Sequence, residues 1–285
     1  MSDMYDLAIV GAGLSALSAI AAGLGRERTI VLDYQDEPGG FLKHALPAPG
    51  FEEAWELMRS TRIAQTVTAC FGATVVGLLP AFEAGEPHWL VVRQKQGTSQ
   101  VQARRVLIAC GGLEITREHA QVPGSRPAGV MTPIMVHQLL AQGYVPGKQA
   151  IVYGDARYTS ITAQRLASVG VAVSLISPSE ARLVAIEGSP RLQRVILGRA
   201  GETYSVEADM LVYGAGMMAN THWLKGSGIS VAAGGTVQVD ASYQTNVPGV
   251  YAVGTVIAPS LDHVDSLAMG KEVASLLLRG KGGTR

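Results

Sequence analysis

Cysteine is almost missing from this chain: Cys70 and Cys110 are the only two among 285 residues, and they form no C-x-x-C pair. A disulfide scaffold is thereby excluded as the organising principle, as is a local zinc or iron–sulfur cluster. The same usage suits a reduced, cytoplasmic setting. Charge is scarce and balanced: 23 Lys and Arg face 23 Asp and Glu, and charged residues make up 16% of the chain, with no basic cluster. Nucleic acid and anionic membrane surfaces are therefore not expected partners. No apolar run approaches the roughly 18 residues of a membrane span. The opening "MSDMYDLAIVGAG" enters a strand at once without a basic leader, so no secretory signal is expected.

Core material and glycine are plentiful. Hydrophobic residues make up 47% of the chain, and 34 glycines suit a fold with many tight strand-to-helix turns. The length allows one large domain or two ordinary ones. No internal repeat, low-complexity segment or long linker interrupts it.

The strongest local signal is "MYDLAIVGAGLSALSAIAAGLGRERTIVLD". Leu7 to Val10 read as a buried strand, Gly11-Ala12-Gly13-Leu14-Ser15-Ala16 as a turn opening a helix, and Thr29 to Leu32 as a second strand ending at Asp33. Each residue type has a task in holding a dinucleotide. Gly11 makes the tight turn, Gly13 lets backbone N–H groups approach a pyrophosphate, and Ala16 lets helix and strand pack closely. The helix N-terminus supplies positive partial charge. Asp33, about 20 residues past the turn, is placed to accept both hydroxyls of an adenosine ribose. A Gly-rich structural turn in an empty α/β domain is the plainer alternative.

Two further stretches favour FAD over NAD. "DEPGGFL" offers Gly39 and Gly40, which let backbone lie against a pyrophosphate and ribityl chain. "TNVPGVYAVGTVIAPSLDHVDSLAMGKEVASLLLRGK" reads as a short strand (Tyr251 to Val253), the Gly254-Thr255 turn, a loop and a helix from about Ser266. That helix, with Asp265 or Ser266 as its N-cap, would direct its positive end at a flavin pyrimidine ring.

The chain resembles the flavoprotein disulfide reductase superfamily with two dinucleotide domains, of thioredoxin reductase-like topology. "RVLIACGG" is similar to that superfamily's strand ending in Ala-Thr-Gly, and "VPGVYAVGT" to its Pro-Gly-strand-Gly-Asp motif. "VPGSRPAGVMTPIMVHQLLAQGYVPGKQAIVYG" and "DHVDS" resemble a narrower branch found beside glycerol-3-phosphate oxidation, related to the α subunits of opine oxidases and dye-linked proline dehydrogenases. The resemblance implies an α/β fold of two Rossmann-like, three-layer ββα domains, the second inserted in the first. An FAD-binding domain is expected over 1–112 and 245–285, and a second domain over 113–244. It further implies a cofactor site of Gly11, Ala12, Gly13, Leu14, Ser15, Ala16, Asp33, Tyr34, Gly39, Gly40, Phe41, Leu78, Ala109, Cys110, Gly111, Gly254, Thr255, His263 and Val264. Lys43, His44 and His263 are its candidates for catalysis beside the flavin. A homo- or hetero-oligomer is expected, and no metal.

The chain departs from that pattern in three places. Cys110 replaces the Thr of Ala-Thr-Gly, and Thr255 replaces the Asp of Gly-Asp. Thr255 can still take one hydrogen bond from a ribityl hydroxyl, but without charge, so modest FAD affinity is expected. The redox C-x-x-C is missing, and each cysteine reads as a small buried hydrophobe, Cys70 at the end of the helical stretch "AWELMRSTRIAQTVTAC". The third departure is "IVYGDARYTSITAQRLASVGVAVSLIS", which has the outline of a second dinucleotide unit but offers Gly154, Ala156 and Thr159 where G-x-G-x-x-G belongs. Ala156 puts a methyl in the approach path, Asp155 adds negative charge beside any phosphate, and Ser177 provides neither a ribose acid nor an arginine. The interval after Ser177 also lacks a further helix and strand common in the family. A vestigial nucleotide loop is the reading.

Of the other histidines, His88 heads "HWLVVRQ" and reads as a surface residue, and His137 has a packing role in a helix. The expected function is an FAD-dependent oxidoreductase passing electrons between a small substrate or partner subunit and another acceptor, without ordinary NAD(P)H binding. The alternatives are an NAD(P)H-dependent flavin reductase of thioredoxin reductase type and a non-catalytic FAD-binding subunit of a heteromeric dehydrogenase.

Overall fold

The computed structural model describes residues 4–61, 63–83 and 85–279. The chain divides into two compact units: Met1–Lys43 with Pro49–Leu113 and Met218–Arg285, and His44–Ala48 with Glu114–Met217.

In the first unit a parallel sheet runs in the order Val250–Ala252, Val106–Ile108, Leu7–Val10, Thr29–Leu32, Thr68–Cys70. Both faces are covered, which is why its inner strands read as unbroken apolar runs. Alternate residues serve the two faces. Ala8, Val10, Ile30 and Leu32 share a core with Val75, Leu78, Leu90 and Val92 of a second sheet, built from Met4–Tyr5, Gly97–Ala103, His88–Gln94 and Thr74–Leu79. Leu7, Ile9, Val31 and Leu107 pack against Leu17, Ile20, Val273 and Leu277, from the helices Leu14–Ala21 and His263–Arg279. At roughly 1.5–3 kcal/mol per fully buried aliphatic side chain, these faces dominate the unit's stability. The two helices approach so closely that a Cβ on Gly270 would stand 2.3 Å from the Ser15 carbonyl oxygen. Ser18 Oγ donates to the Leu267 carbonyl at 2.6 Å across the same contact.

The second unit repeats the three layers. Its parallel sheet has the order Val130–Met131, Met210–Tyr213, Gln149–Tyr153, Ala172–Ile176. One face (Ile151, Tyr153, Leu211) packs on a meander of Arg182–Gly188, Leu192–Arg199 and Glu202–Glu207. The other (Ala150, Val152, Val212) packs on the helices Pro133–Ala141 and Arg157–Ser168 through Val136, Ala163 and Leu166. Between Ile176 and Arg182 there is no helix and no further parallel strand; the chain turns directly into the meander.

Four expectations are corrected. The second unit ends at Met217, not at 244, because Trp223, Leu224, Ile229 and Val237 lie in the first unit's core. Cys70 is on an edge strand, the helix Glu52–Ser60 having ended before Thr61. His88 is buried, not on the surface: its Nδ1 accepts the Ala81 N–H at 3.1 Å. Burial lowers its pKa, partly offset by a bond to the Pro248 carbonyl. The last helix begins at His263, and its cap is Asp262 rather than Asp265 or Ser266, since Asp262 Oδ1 accepts the Asp265 N–H at 2.9 Å.

Candidate functional site

The first unit's chain runs from the Leu7–Val10 strand outward one way to Thr29–Leu32 and Thr68–Cys70, then the other way to Val106–Ile108 and Val250–Ala252. The strand order therefore reverses between Leu7–Val10 and Val106–Ile108, and open α/β sheets bind ligands at the carboxyl ends of strands at such a point. Gly11 and Ala109 stand there. Gly11 has φ +102°, and a Cβ on it would lie 2.3 Å from the Ala109 carbonyl oxygen, so the turn admits only glycine. Gly13, the N-cap of the helix Leu14–Ala21, is different: it is extended (φ −80°, ψ −173°), and a Cβ there would meet no atom within 4 Å. The fold does not require Gly13. The open space above it is what a pyrophosphate needs against the helix N-terminus.

Asp33 closes one side of this space. Its Oδ2 accepts the Ala12 N–H at 2.6 Å and its Oδ1 the Gln35 N–H at 2.8 Å. Burial raises its pKa above the usual carboxylate value, opposed by those two N–H groups and by the charge of Lys43. Each oxygen keeps lone-pair capacity for a ribose hydroxyl. The Gly39-Gly40 pair (φ +117° and +62°) folds back on the turn: Gly39 N–H donates to the Ala12 carbonyl at 2.9 Å, and a Cβ on Gly40 would be 3.2 Å from Gly13 Cα. Lys43 follows in the short helical turn Gly40–His44 and pairs with Glu37 at 3.4 Å.

From the other end of the chain, Gly254 (φ +79°) comes so near that a Cβ on it would meet Ser15 Oγ at 2.6 Å, and Thr255 Oγ1 stands 3.4 Å from the Cβ position of Gly111. Thr255, Gly111, Ser15 and the glycine turn thus converge. Cys110 Sγ lies 3.3 Å from the Asn220 carbonyl, and burial pushes its thiol up to about 12. At neutral pH it is not a thiolate, and both cysteines are free. His263 is buried and stacks on Phe51, ring centroids 3.9 Å apart.

The other expected residues differ in burial. Leu78 is buried in the core, paired across strands with Leu90. Tyr34 and Val264 are exposed and Phe41 half-buried. His44 groups with the second unit, where Arg165 donates to its carbonyl. The same guanidinium donates to His137 Nδ1 at 3.1 Å. Thr162 gives its hydroxyl proton to the Tyr158 carbonyl at 2.8 Å, so His137 Nε2–H is the donor in the 2.9 Å contact with Thr162 Oγ1. Burial first, then the charges of Arg165 and His44, lower the His137 pKa to about 4. Phe51, Asp262, Asn220 and Arg165 went unnoticed in the sequence; only Asp262, three residues before Asp265, carried a local capping signal.

The loop after Gln149–Tyr153 presents a contrast. Gly154 has φ +143°, and a Cβ on it would lie 2.1 Å from the Gly214 carbonyl oxygen. Ala156 occupies the N-cap of Arg157–Ser168 with φ −64° and ψ 143°, the place Gly13 holds in the first unit. Asp155 is exposed. Ser177, past the strand end, is taken up locally: its Oγ contacts Ser179 Oγ at 2.5 Å and accepts the Ser179 N–H at 3.0 Å. Among the described residues there is no group of His, Cys, Asp and Glu able to hold a metal ion, and no helix is long and apolar enough to cross a membrane.

The pattern of the pyridine nucleotide-disulphide oxidoreductase family matches residues 178–270. Coenzyme A disulfide reductase of Staphylococcus aureus (strain Newman) is 33% identical over 57 residues, 20% of this chain and 13% of that protein. The crystal structure of L-proline dehydrogenase from P. horikoshii superposes with a TM-score of 0.77 at 18% identity, over 99% of this chain and 56% of that one. T. acidophilum thioredoxin reductase superposes with a TM-score of 0.75 at 20% identity, over 98% of this chain and 99% of that one. This chain thus spans little more than half of the proline dehydrogenase chain and aligns with about an eighth of the curated reductase.

Proposed function

We propose that this chain, which carries the FAD/NAD(P)-binding fold of the pyridine nucleotide-disulphide oxidoreductases, is an FAD-dependent oxidoreductase that does not take up NADH or NADPH in the ordinary way. The observation that carries the reading is the asymmetry of the two glycine turns. Each unit keeps the glycine its backbone requires, Gly11 against Ala109 and Gly154 against Gly214. The glycine a pyrophosphate requires is kept as Gly13 in the first unit and is Ala156 in the second. With Asp155 beside the second loop and no acid or arginine at Ser177, that loop suits neither phosphates nor ribose.

In the first unit, Gly13 and the helix N-terminus receive the pyrophosphate, Asp33 accepts the ribose hydroxyls, and Thr255 offers its hydroxyl to the ribityl chain. Bound FAD supplies two-electron acceptance from an organic donor. His263 holds a proton at a ring nitrogen near the start of its helix. With Cys110 held as a neutral thiol and no cysteine partner beside it, dithiol exchange has no nucleophile here. The electron donor is a small substrate or a partner subunit in the cytoplasm.

Acid extraction of the purified protein releases FAD, and neither NADH nor NADPH bleaches the bound flavin faster than free flavin. A colourless protein that cannot be reconstituted removes the first claim. Rapid bleaching by either nucleotide removes the second and makes the chain a nicotinamide-dependent reductase.

A further inference from the structure

Lys43 has a setting that the fold alone does not explain. Its root lies on the glycine pair: a Cβ on Gly39 would come within 2.9 Å of Lys43 Cβ, and the neighbouring Gly40 rests on Gly13. The lysine therefore rises beside the open space above the helix N-terminus. Its side chain is only 12% exposed, while its ion-pair partner Glu37, at 3.4 Å, is 64% exposed. An ion pair with a well-solvated carboxylate is weak, and an ammonium has three protons to donate, more than this contact uses.

The neighbouring side chains are acidic: Glu37 lies 3.4 Å from the Lys43 ammonium, and the charge of Lys43 reaches Asp33. A doubly charged pyrophosphate entering there meets carboxylates, against which backbone N–H groups and a helix end offer partial charges only. A full positive charge at this turn reverses that balance. We propose that the Lys43 ammonium exchanges Glu37 for the pyrophosphate of FAD and is the residue that makes this acidic turn selective for a diphosphate. The inference rests on the reading of the first unit as an FAD site.

The test is titration of flavin-free protein with FAD, and with ADP as a competitor, at low and high salt. Lys43→Met weakens FAD and ADP alike, by about 10- to 100-fold, as expected for a lost hydrogen bond to a charged group. It also flattens the salt dependence of binding. Lys43→Arg keeps most of the affinity, and Glu37→Gln binds FAD as tightly as the wild type or more so. Lys43→Gln serves beside Lys43→Met, with the melting temperature of each flavin-free variant as the folding control. FAD affinity within twofold of wild type in both variants overturns the inference and leaves the FAD site standing. Weakening of FAD without weakening of ADP also overturns it, since the lysine then acts at the flavin ring. A wild-type protein that binds no FAD sinks both readings.

Discussion

Gly11 and Gly13 are two residues apart and have the same side chain, yet the structure gives them opposite jobs, and substitution separates them. At Gly11 an alanine must adopt φ +102° and place its Cβ 2.3 Å from a backbone oxygen that cannot rotate away. The positive φ costs roughly 1–2 kcal/mol, and relieving the contact by shifting backbone costs about 1–3 kcal/mol more. The sum is about 2–5 kcal/mol, or roughly 5–15 °C in melting temperature for a unit of this size. At Gly13 the Cβ of a valine meets no atom within 4 Å, at an ordinary φ of −80°. Its cost is at most about 1 kcal/mol, for a poorer N-cap, while its methyl groups fill the space left for the pyrophosphate. Calorimetry of the flavin-free proteins and FAD titration read the two effects separately. Gly11→Ala melts early; Gly13→Val melts near wild type and binds no FAD. A Gly13→Val protein that melts as early as Gly11→Ala, or that binds FAD normally, refutes the assignment of the open space to the cofactor.

Three further outcomes are expected. Thr255→Val weakens FAD by about 1 kcal/mol, near fivefold, the net worth of one neutral hydrogen bond, while Thr255→Asp is tolerated; an unchanged dissociation constant for Thr255→Val places the residue away from the cofactor. His137, lowered to about 4 by burial and the nearby charges, binds its proton more weakly folded than unfolded. Its stabilising contribution is whole above pH 6.5 and is lost as pH falls towards 4, about 3 kcal/mol in all. Urea unfolding between pH 7 and 4.5 shows this loss, and it shrinks in His137→Gln. Ala156→Gly alone does not create NADH binding detectable by calorimetry, because Asp155 and Ser177 still oppose phosphate and ribose; micromolar binding by that variant would falsify the electrostatic part of the argument.

What the sequence made legible was local. The strand Leu7–Val10, the Gly11 turn, the helix from Leu14 and Asp33 are specified by neighbours within one βαβ stretch, and each stands where its residue type implies. The errors share a physical cause, which is dependence on distant partners. His88 reads as the exposed head of a strand, but it is enclosed by Ala81 and by the Pro248–Gly249 turn, far along the chain. The boundary at 217 was invisible because Trp223 and Ile229 look like any apolar residues until the sheet they cover is assembled. The junction of Arg165, His137 and Thr162 needs two helices brought side by side, and no spacing in the sequence announces it.

The paired glycine turns also separate what the topology of an α/β unit demands of its loop from what a ligand would demand of it. Removing Gly154 would drive a Cβ into the Gly214 carbonyl, so any sequence that keeps this fold keeps that glycine whether or not a nucleotide binds. Position 156 carries no such demand: at φ −64° and ψ 143° any residue is accommodated. Only a ligand holds such a position to glycine, and here an alanine stands. A retained first glycine therefore reports the fold and says nothing of binding, whereas the N-cap position reports the ligand. The proposed reading rests on that distinction: the N-cap residue is Gly13 at the Gly11 turn and Ala156 at the Gly154 turn.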